Sequence, residues 1–294
     1  MPELPEVETI RRQLAPLVEG RVLERLEILD ARWSRPLAPA ELADALVGRR
    51  IESLGRRGKY LLWNLQDDVH LAQHLRMTGA ILSDPDPEPP YTRVRVELGP
   101  ARGRARRGAA RADARRLAIV DPRRFGTGEL LLGSDAVERF FGLRLGLEPF
   151  DEAFTAAHLQ GLARGRTAPI KALLLDQRRI AGVGNIYADE ALFRAGIHPR
   201  REAGHLTSAQ HARLRETVIE ALTAGIDARG ATIDDFRHVD GVRGSFQDQF
   251  LVHRRAGEAC GRCGSTIVKM VVAGRGTYVC ETCQTRPRTR RASS

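Results

Sequence analysis

The chain has 294 residues, 42% of them hydrophobic, which is enough for two domains with real cores. No apolar run reaches the roughly 18 residues needed to span a membrane, and the acidic N-terminus argues against a secretory signal. The net charge of +10 favours a polyanion such as nucleic acid as the partner, although a merely solvated basic surface is the alternative. We therefore expect a cytoplasmic protein that does not bind membranes.

The basic residues are almost all arginine. Of 47 basic residues only three are lysine, Lys59, Lys171 and Lys269. Lysine can lose its proton in a protein, whereas arginine cannot. Each of these three lysines is therefore a candidate for a site that needs an ammonium group. The alternative is that they are lysine by chance.

A helix is predicted over residues 5–18. Pro5 suits the first helical position, and Glu6 and Glu8 suit the positive end of the helix dipole. Apolar residues recur along one face, at Val7, Ile10, Leu14 and Leu17.

The region from about 21 to 133 consists of short alternating segments separated by turn residues, which predicts an antiparallel β-sandwich. These segments are RVLERLEIL, RRIESLG, KYLLWNL, HLAQHLRM, RVRVEL, RLAIVD and GELLLG. Residues 101–116 interrupt them with seven arginines and no apolar side chain larger than alanine. Such a segment cannot pack into a core, so a disordered insertion is expected there.

From about 152 the apolar period becomes helical, with Gly and Pro between the segments. A long flexible loop is predicted over 230–246, followed by a strand in QFLVHRR and a disordered basic tail. The overall prediction is an α+β protein. Its parts are a β-sandwich domain (1–133), a linker (134–151), a helical domain (152–256), a cysteine finger (257–284) and the tail (285–294).

All four cysteines lie in one short stretch, as Cys260-Gly-Arg-Cys263 and Cys280-Glu-Thr-Cys283. Each two-residue gap lets both thiolates bind one tetrahedral ion, and the spacing between the pairs fits a β-hairpin. We therefore expect one structural Zn²⁺. The hairpin turn is predicted at Gly274-Arg275-Gly276, which would display Arg275 at the tip. A phosphate contact is favoured there over a solvated arginine.

The opening residues, MPELPEVET, raise a chemical possibility. If the initiator Met is removed, Pro2 becomes a free secondary amine. The pKa of an α-amino group is about 7.7–8.0, against about 10.4 for lysine, so much more of it is neutral near pH 7.5. Such an amine can attack an electrophilic carbon and form a cationic Schiff base, while Glu3 beside it can move protons. Helix initiation alone accounts for Pro5, Glu6 and Glu8 but not for Pro2 and Glu3.

At this point the chain resembles a known family over almost its whole length, the bacterial formamidopyrimidine-DNA glycosylases. Family-like motifs follow MPELPEVET in the family's order. They are GKYL (58–61), HLRMTG (74–79), DPRRFG (121–126), IKALLLDQ (170–177), GVGNIYADEALFRAGIHP (182–199), GATIDDF (230–236) and the four-cysteine hairpin with GRGTYVC. The resemblance implies a β-sandwich domain, a helix–two-turns–helix domain and a zinc finger. It also implies a bifunctional glycosylase and AP lyase of base excision repair that removes oxidised purines such as 8-oxoguanine.

By this resemblance, Pro2 attacks C1′ of the damaged nucleoside, Glu3 is the acid/base, and Lys59 moves the β-elimination proton. Arg275 matches the residue assigned to δ-elimination and phosphate binding; a guanidinium is a poor proton donor, so the phosphate role is favoured. Further residues match DNA contacts of the family: the wedge residues Met77, Arg123 and Phe125, which fill the gap left by a flipped base, and Arg166, Lys171, Asn185 and Tyr187. Tyr91 stands where the family often has His.

Two alternatives stay open. One is an endonuclease VIII-like glycosylase for oxidised pyrimidines, which typically begins PEGPE rather than PELPE. The other is a zinc-ribbon DNA-binding protein without catalysis. The expected partner is double-stranded DNA with oxidised purines or abasic sites, bound by a monomer associated with the nucleoid in the cytoplasm.

Overall fold

The computed structural model describes residues 2–100, 114–232, 239 and 243–286. The predicted insertion therefore lies outside the described residues, except for its last three, and so do most of GATIDDF and the predicted tail. The described chain forms two compact units, Met1–Leu143 with Ala228–Ser245, and Arg144–Asp227 with Phe246–Ser294. The segment Ala228–Ser245 thus groups with the first unit, although the sequence analysis placed it in the helical domain. No helix in the described ranges is long and apolar enough to cross a lipid bilayer.

The first unit is a two-layer antiparallel sandwich with three helices among its described residues. Its helices are α1 (Leu4–Val18), α2 (Pro39–Leu46) and α3 (Ser134–Gly142). Its strands are β1 (Leu23–Ile28), β2 (Ile51–Arg57), β3 (Tyr60–Leu65), β4 (Val69–His74), β5 (Ala80–Ser83), β6 (Thr92–Leu98), β7 (Arg115–Val120) and β8 (Thr127–Leu132). One sheet has the order β1-β6-β7-β5 and the other β2-β3-β4-β8.

The core lies between these layers because alternate strand residues point inward. Buried side chains from both sheets and from α1 form one apolar cluster, including Val7, Ile10, Leu26, Leu61 and Val94. The predicted sandwich and first helix are therefore confirmed. The elements α2, α3 and β5, with 8, 9 and 4 residues, were not predicted.

The second unit is helical and carries a β-hairpin. Its helices are α4 (Ala156–Ala163), α5 (Ile170–Leu175), α6 (Asn185–Ala195) and α7 (Ser208–Asp227), with 3₁₀ turns at Ala203–His205 and Phe246–Gln249. The hairpin pairs β9 (Val268–Val272) with β10 (Arg275–Val279).

The strand predicted in QFLVHRR is wrong. The N–H groups of Leu251, Val252 and His253 all bond to the carboxylate of Glu190, each at 3.0 Å. A single buried carboxylate therefore accepts the backbone hydrogen bonds that the carbonyl groups of a neighbouring strand would otherwise have accepted. The hairpin turn is also shifted by one residue from the prediction, to Ala273-Gly274, and Arg275 is the first residue of β10.

Candidate active site

The start of α1 is buried and held by one carboxylate. Pro2 is buried and Glu3 is 3% exposed. Oε2 of Glu6 accepts the Glu3 N–H at 2.8 Å, and its Oε1 accepts the N–H of Ala231 at 2.7 Å. Glu6 therefore fixes the peptide unit that follows Pro2 and ties it to the segment after α7. The sequence analysis explained Glu6 only as a helix-initiating residue and missed this bridge.

Lys59 lies in the two-residue turn between β2 and β3. Arg57 and Tyr60 are the last pair of that ladder, Gly58 has a positive φ of 58°, and Lys59 is 5% exposed. A non-glycine residue rarely adopts this φ, so glycine suits the position before the lysine. The turn thereby delivers a lysine side chain to a largely buried location within the first unit.

His74, paired with Tyr60 across the β3–β4 ladder, is a further candidate that the sequence analysis missed. Burial lowers the pKa of His74 to about 3, assisted by the positive charges of Arg76 and Lys59. The imidazole is therefore neutral near pH 7, and its Nδ1 accepts the N–H of Arg76 at 2.9 Å. His74 and Lys59 therefore interact electrostatically.

The loop that follows β7 is organised by Asp121. Its Oδ2 accepts the N–H groups of Phe125 and Gly126, both at 2.7 Å, and its Oδ1 accepts the hydroxyl of Thr78. The last bond joins the DPRRFG loop to the loop that carries Met77. One carboxylate therefore joins the two loops that carry the predicted wedge residues.

The three residues predicted to form the wedge are exposed. Met77 is 39% and Phe125 49% exposed, and the guanidinium of Arg123 lies 4.9 Å from the centre of the Phe125 ring. Between them, Arg124 turns back to Asp30, with its Nη2 bonded at 2.9 Å. The Arg124 side chain is itself 42% exposed, whereas the Asp30 side chain is 6% exposed.

Tyr91 is exposed beside the same loop. The side chain is 57% exposed, φ is 67°, and the Arg93 guanidinium lies 5.7 Å from its ring. The Tyr91 carbonyl accepts the N–H of Asp121 at 3.1 Å. The backbone of Tyr91 is therefore bonded to the DPRRFG loop, although its side chain stands where the family often has His.

In the second unit Lys171 is not at a surface. Its side chain is fully buried, and its Nζ donates to Asp189 at 2.6 Å and to the Thr277 hydroxyl at 2.7 Å. The other oxygen of Asp189 bonds Nδ1 of His253 at 2.8 Å. The expected direct contact of Lys171 with phosphate is thus replaced by a buried network that reaches the hairpin.

Tyr187 was also predicted to contact DNA, and its burial contradicts this. The ring is 1% exposed and stacks on Phe246 with a centroid distance of 5.1 Å. A methyl group at Gly225 would lie 2.4 Å from the ring, so α7 approaches Tyr187 as closely as glycine permits. Tyr187 is a core residue of the helical unit.

The remaining predicted contacts are nearer the surface. Arg275 is exposed at the start of β10. Asn185, the first residue of α6, donates to the carbonyl of Gly276 at 2.9 Å and so ties the helix start to the hairpin. Arg166 is partly exposed, with its Nε bonded to the Leu162 carbonyl at 2.6 Å.

Family models match three successive parts of the chain. The formamidopyrimidine-DNA glycosylase N-terminal domain matches residues 1–128, the H2TH domain of the same enzymes matches 145–237, and the zinc finger found in FPG and IleRS matches 257–286. The chain belongs to the formamidopyrimidine-DNA glycosylase family.

Individual members of the family are similar over their full length. The enzyme of Bacillus licheniformis is 41% identical over 97% of this chain and 99% of its own, and that of Thermus thermophilus is 44% identical over 97% and 98%. The crystal structure of the Thermus thermophilus protein has a TM-score of 0.83 at 42% identity, covering 98% of this chain and 100% of that one. A Lactococcus lactis Fpg complex with DNA containing an abasic site has a TM-score of 0.86 at 34% identity, covering 97% and 100%.

The family's zinc finger is present in the second unit and holds one structural zinc ion. The Sγ atoms of Cys260, Cys263, Cys280 and Cys283 all lie within 4.8 Å of one another. The Cys263–Cys280 and Cys260–Cys283 distances of 3.4 and 3.9 Å suit sulfurs that each lie about 2.3 Å from a tetrahedral ion. Burial and the neighbouring thiols raise the pKa of Cys283 to about 12, so a cation is needed to favour the thiolate.

Proposed function

We propose that this chain is a bifunctional base excision repair enzyme that removes oxidised purines from DNA and then cleaves the strand as an AP lyase. The observation that carries the proposal is the buried Pro2-Glu3 pair at the start of α1, in a chain that matches the glycosylase family from end to end. Solved structures of the Lactococcus lactis relative with DNA containing an abasic site or N7-benzyl-Fapy-dG support the same kind of substrate.

The first chemical step is assigned to Pro2, which requires removal of Met1. Its nitrogen lone pair forms a bond to C1′, the glycosidic C1′–N bond breaks, and the base leaves with that electron pair and a proton. Glu3 is assigned the transfer of protons to and from the sugar as its ring opens and the iminium forms. The hydrogen bond from the Glu3 N–H to Glu6 supports this role, because it fixes the peptide unit between nucleophile and acid.

The second step is elimination from the iminium. A proton leaves C2′ and the C3′–O bond breaks. A second proton then leaves C4′ and the C5′–O bond breaks, which releases the phosphate on the 5′ side, and water hydrolyses the remaining Schiff base. Lys59 is assigned the proton transfer of the first elimination. Its low exposure and its electrostatic interaction with the neutral His74 support a group that acts inside a site rather than on open surface.

DNA contacts are assigned to both units. In the first, Met77, Arg123 and Phe125 fill the gap left by the flipped nucleoside, and Tyr91 contacts the backbone. In the second, Arg275 binds phosphate, and Arg166 is a weaker candidate for the same role. Asn185 and Lys171 act by positioning the residue that follows Arg275, since both reach the Gly276 carbonyl.

Excision on matched duplexes tests the function. We expect rapid release of 8-oxoguanine opposite C, much slower release of thymine glycol, and loss of borohydride trapping in Pro2→Gly. Pro39→Gly, which alters the first residue of α2, is the matched control and should trap normally. Preference for thymine glycol would instead support the endonuclease VIII-like alternative, and tight binding without any trapped adduct would support the zinc-ribbon alternative.

The site of action is the last part of the proposal. Its relatives are bacterial enzymes that act on DNA, so we infer that this protein works in the cytoplasm in association with the nucleoid, as a monomer.

A further inference from the structure

We propose that Arg56 is a positioning residue of the active site. Its guanidinium joins α1, which carries Pro2 and Glu3, to the β2–β3 turn, which carries Lys59. This inference rests on the proposed function, because it concerns the relative placement of the nucleophile and the proton-transfer lysine.

The contacts of Arg56 are short and buried. Its Nε lies 3.1 Å from Oε2 of Glu8, and the two side chains are each 11% exposed. Its Nη1 donates to the Gly58 carbonyl at 2.9 Å. That carbonyl belongs to the peptide unit joining Gly58 to Lys59, so the guanidinium holds the backbone from which the Lys59 side chain departs.

Glu8 is a firm anchor for this bridge. It lies in α1, about one and a half turns beyond the N-cap residue Glu3, so its position is coupled to the buried helix start. Arg11 and Arg12 bond the Glu8 Oε1, both at 2.8 Å, and orient the carboxylate. A second tie, from the Leu54 N–H to Oε1 of Glu19 at 2.9 Å, fixes the far end of α1 to the same strand.

The geometry of its donors makes arginine specifically suitable here. Its planar guanidinium carries donors in a fixed fork, so one side chain can bond a carboxylate and a carbonyl at the same time. A lysine at this position has a single nitrogen on a flexible stem and cannot reproduce that geometry. Displacement of a reacting group by about 1 Å can lower the rate about 100-fold. A turn that is held less firmly should therefore slow cleavage measurably.

Arg56→Met and Arg56→Lys test the bridge, with Arg57→Met as the matched control. Arg57 is the neighbouring arginine, and its Nη1 pairs with the exposed Glu138. We expect Arg56→Met to slow single-turnover cleavage of a preformed abasic site by about 10- to 100-fold, and Arg56→Lys to recover only part of that rate. The Kd for an uncleavable abasic-site analogue should stay near that of Arg57→Met. Rates in both Arg56 variants equal to the control would overturn the proposal, and the lysine variant decides alone if the methionine variant does not fold.

A double-mutant cycle separates positioning of Lys59 from a general structural effect. If Arg56 acts through Lys59, then Arg56→Met added to Lys59→Ala should slow cleavage by no more than about twofold. In the wild-type background the same Arg56→Met substitution should slow cleavage much more. Multiplicative losses would show that Arg56 acts independently of Lys59 and would overturn the inference. The proposed function fails by a different result, normal trapping in Pro2→Gly.

Discussion

The hydroxyl of Thr78 donates a hydrogen bond to Oδ1 of Asp121 over 2.5 Å, and it joins two loops of the first unit. One loop carries Met77, and the other carries Arg123 and Phe125. The backbone N–H of Arg123 also lies within 3.2 Å of the same carboxylate oxygen. The three exposed residues predicted to form the wedge are therefore presented by one hydrogen-bonded unit, and its central carboxylate, Asp121, is 2% exposed.

Thr78→Val should loosen this unit without emptying the core. We expect excision of 8-oxoguanine from a duplex to slow by about 10-fold, because the wedge must fill the gap at the moment the base leaves the stack. Cleavage of an abasic site in single-stranded DNA, where no stack is disturbed, should change much less. Thr127→Val, in β8, is the control; its hydroxyl has no hydrogen-bond partner among the described residues. Equal slowing on both substrates would contradict the wedge interpretation.

Glu6→Gln should damage the start of α1. The Glu6 carboxylate accepts two buried N–H groups, and an amide offers only one oxygen to replace two acceptors. Leaving a buried donor unsatisfied costs about 1–3 kcal/mol, and we expect borohydride trapping to slow by about 10-fold or more.

Glu41→Gln provides a matched control for that change. Glu41 accepts the Ala38 N–H at 2.8 Å at the start of α2, in the same i, i+3 geometry, but it is exposed. Its replacement should alter the free energy of unfolding by about 0.5 kcal/mol or less and leave trapping unchanged. Similar effects of the two substitutions would mean that the Glu6 bridge has no special role at the active site.

The sequence was most informative where chemistry restricts the choice of residue. Cysteine spacing predicted the zinc finger. The Pro2-Glu3 pair, which helix initiation does not explain, indicated a candidate active site at the N-terminus. Each of these signals is local and needs no knowledge of a distant partner.

Tertiary partners explain what could not be predicted. In the sequence, Lys171 is like any basic residue near a phosphate-binding loop. Only the structure shows that Asp189 pairs with its charge. Tyr187 follows the glycine-rich turn, but its burial depends on Phe246 and Gly225, which lie far along the chain. Long-range contacts such as these have no signature in a single sequence.

Lys171→Met should strongly destabilise the second unit. The substitution leaves the fully buried Asp189 without its ammonium partner, and breaking a buried pair in this way typically costs about 3–5 kcal/mol. The control is Lys269→Met, an exposed lysine of the hairpin, which should cost about 0.5 kcal/mol or less. Urea unfolding measures both. Adding Asp189→Asn to Lys171→Met should recover part of the loss, and a further loss would show that Asp189 is stabilised mainly by His253.

Glu8 should contribute to stability in a pH-dependent manner. Burial acts to raise its pKa, but hydrogen bonds from Arg11 and Arg12 and the charges of Arg11 and Arg56 outweigh burial and lower the pKa to about 2 from the usual 4.5. The stabilisation is therefore present above about pH 4.5 and is lost as the pH falls toward about 2. We expect Glu8→Gln to cost about 1–2 kcal/mol at pH 7 and clearly less at pH 3, as measured by urea unfolding. A cost that is the same at both pH values would contradict the ionised bridge.

The account depends on the amine of Pro2 forming the bond to the sugar. The direct measurement is mass spectrometry of the proteolytic peptide that carries the DNA remnant after borohydride trapping on 8-oxoguanine duplex. We predict that the reduced sugar is attached to the nitrogen of Pro2 in a chain lacking Met1. A remnant on Lys59, or fully active protein that retains its methionine, would contradict the mechanism.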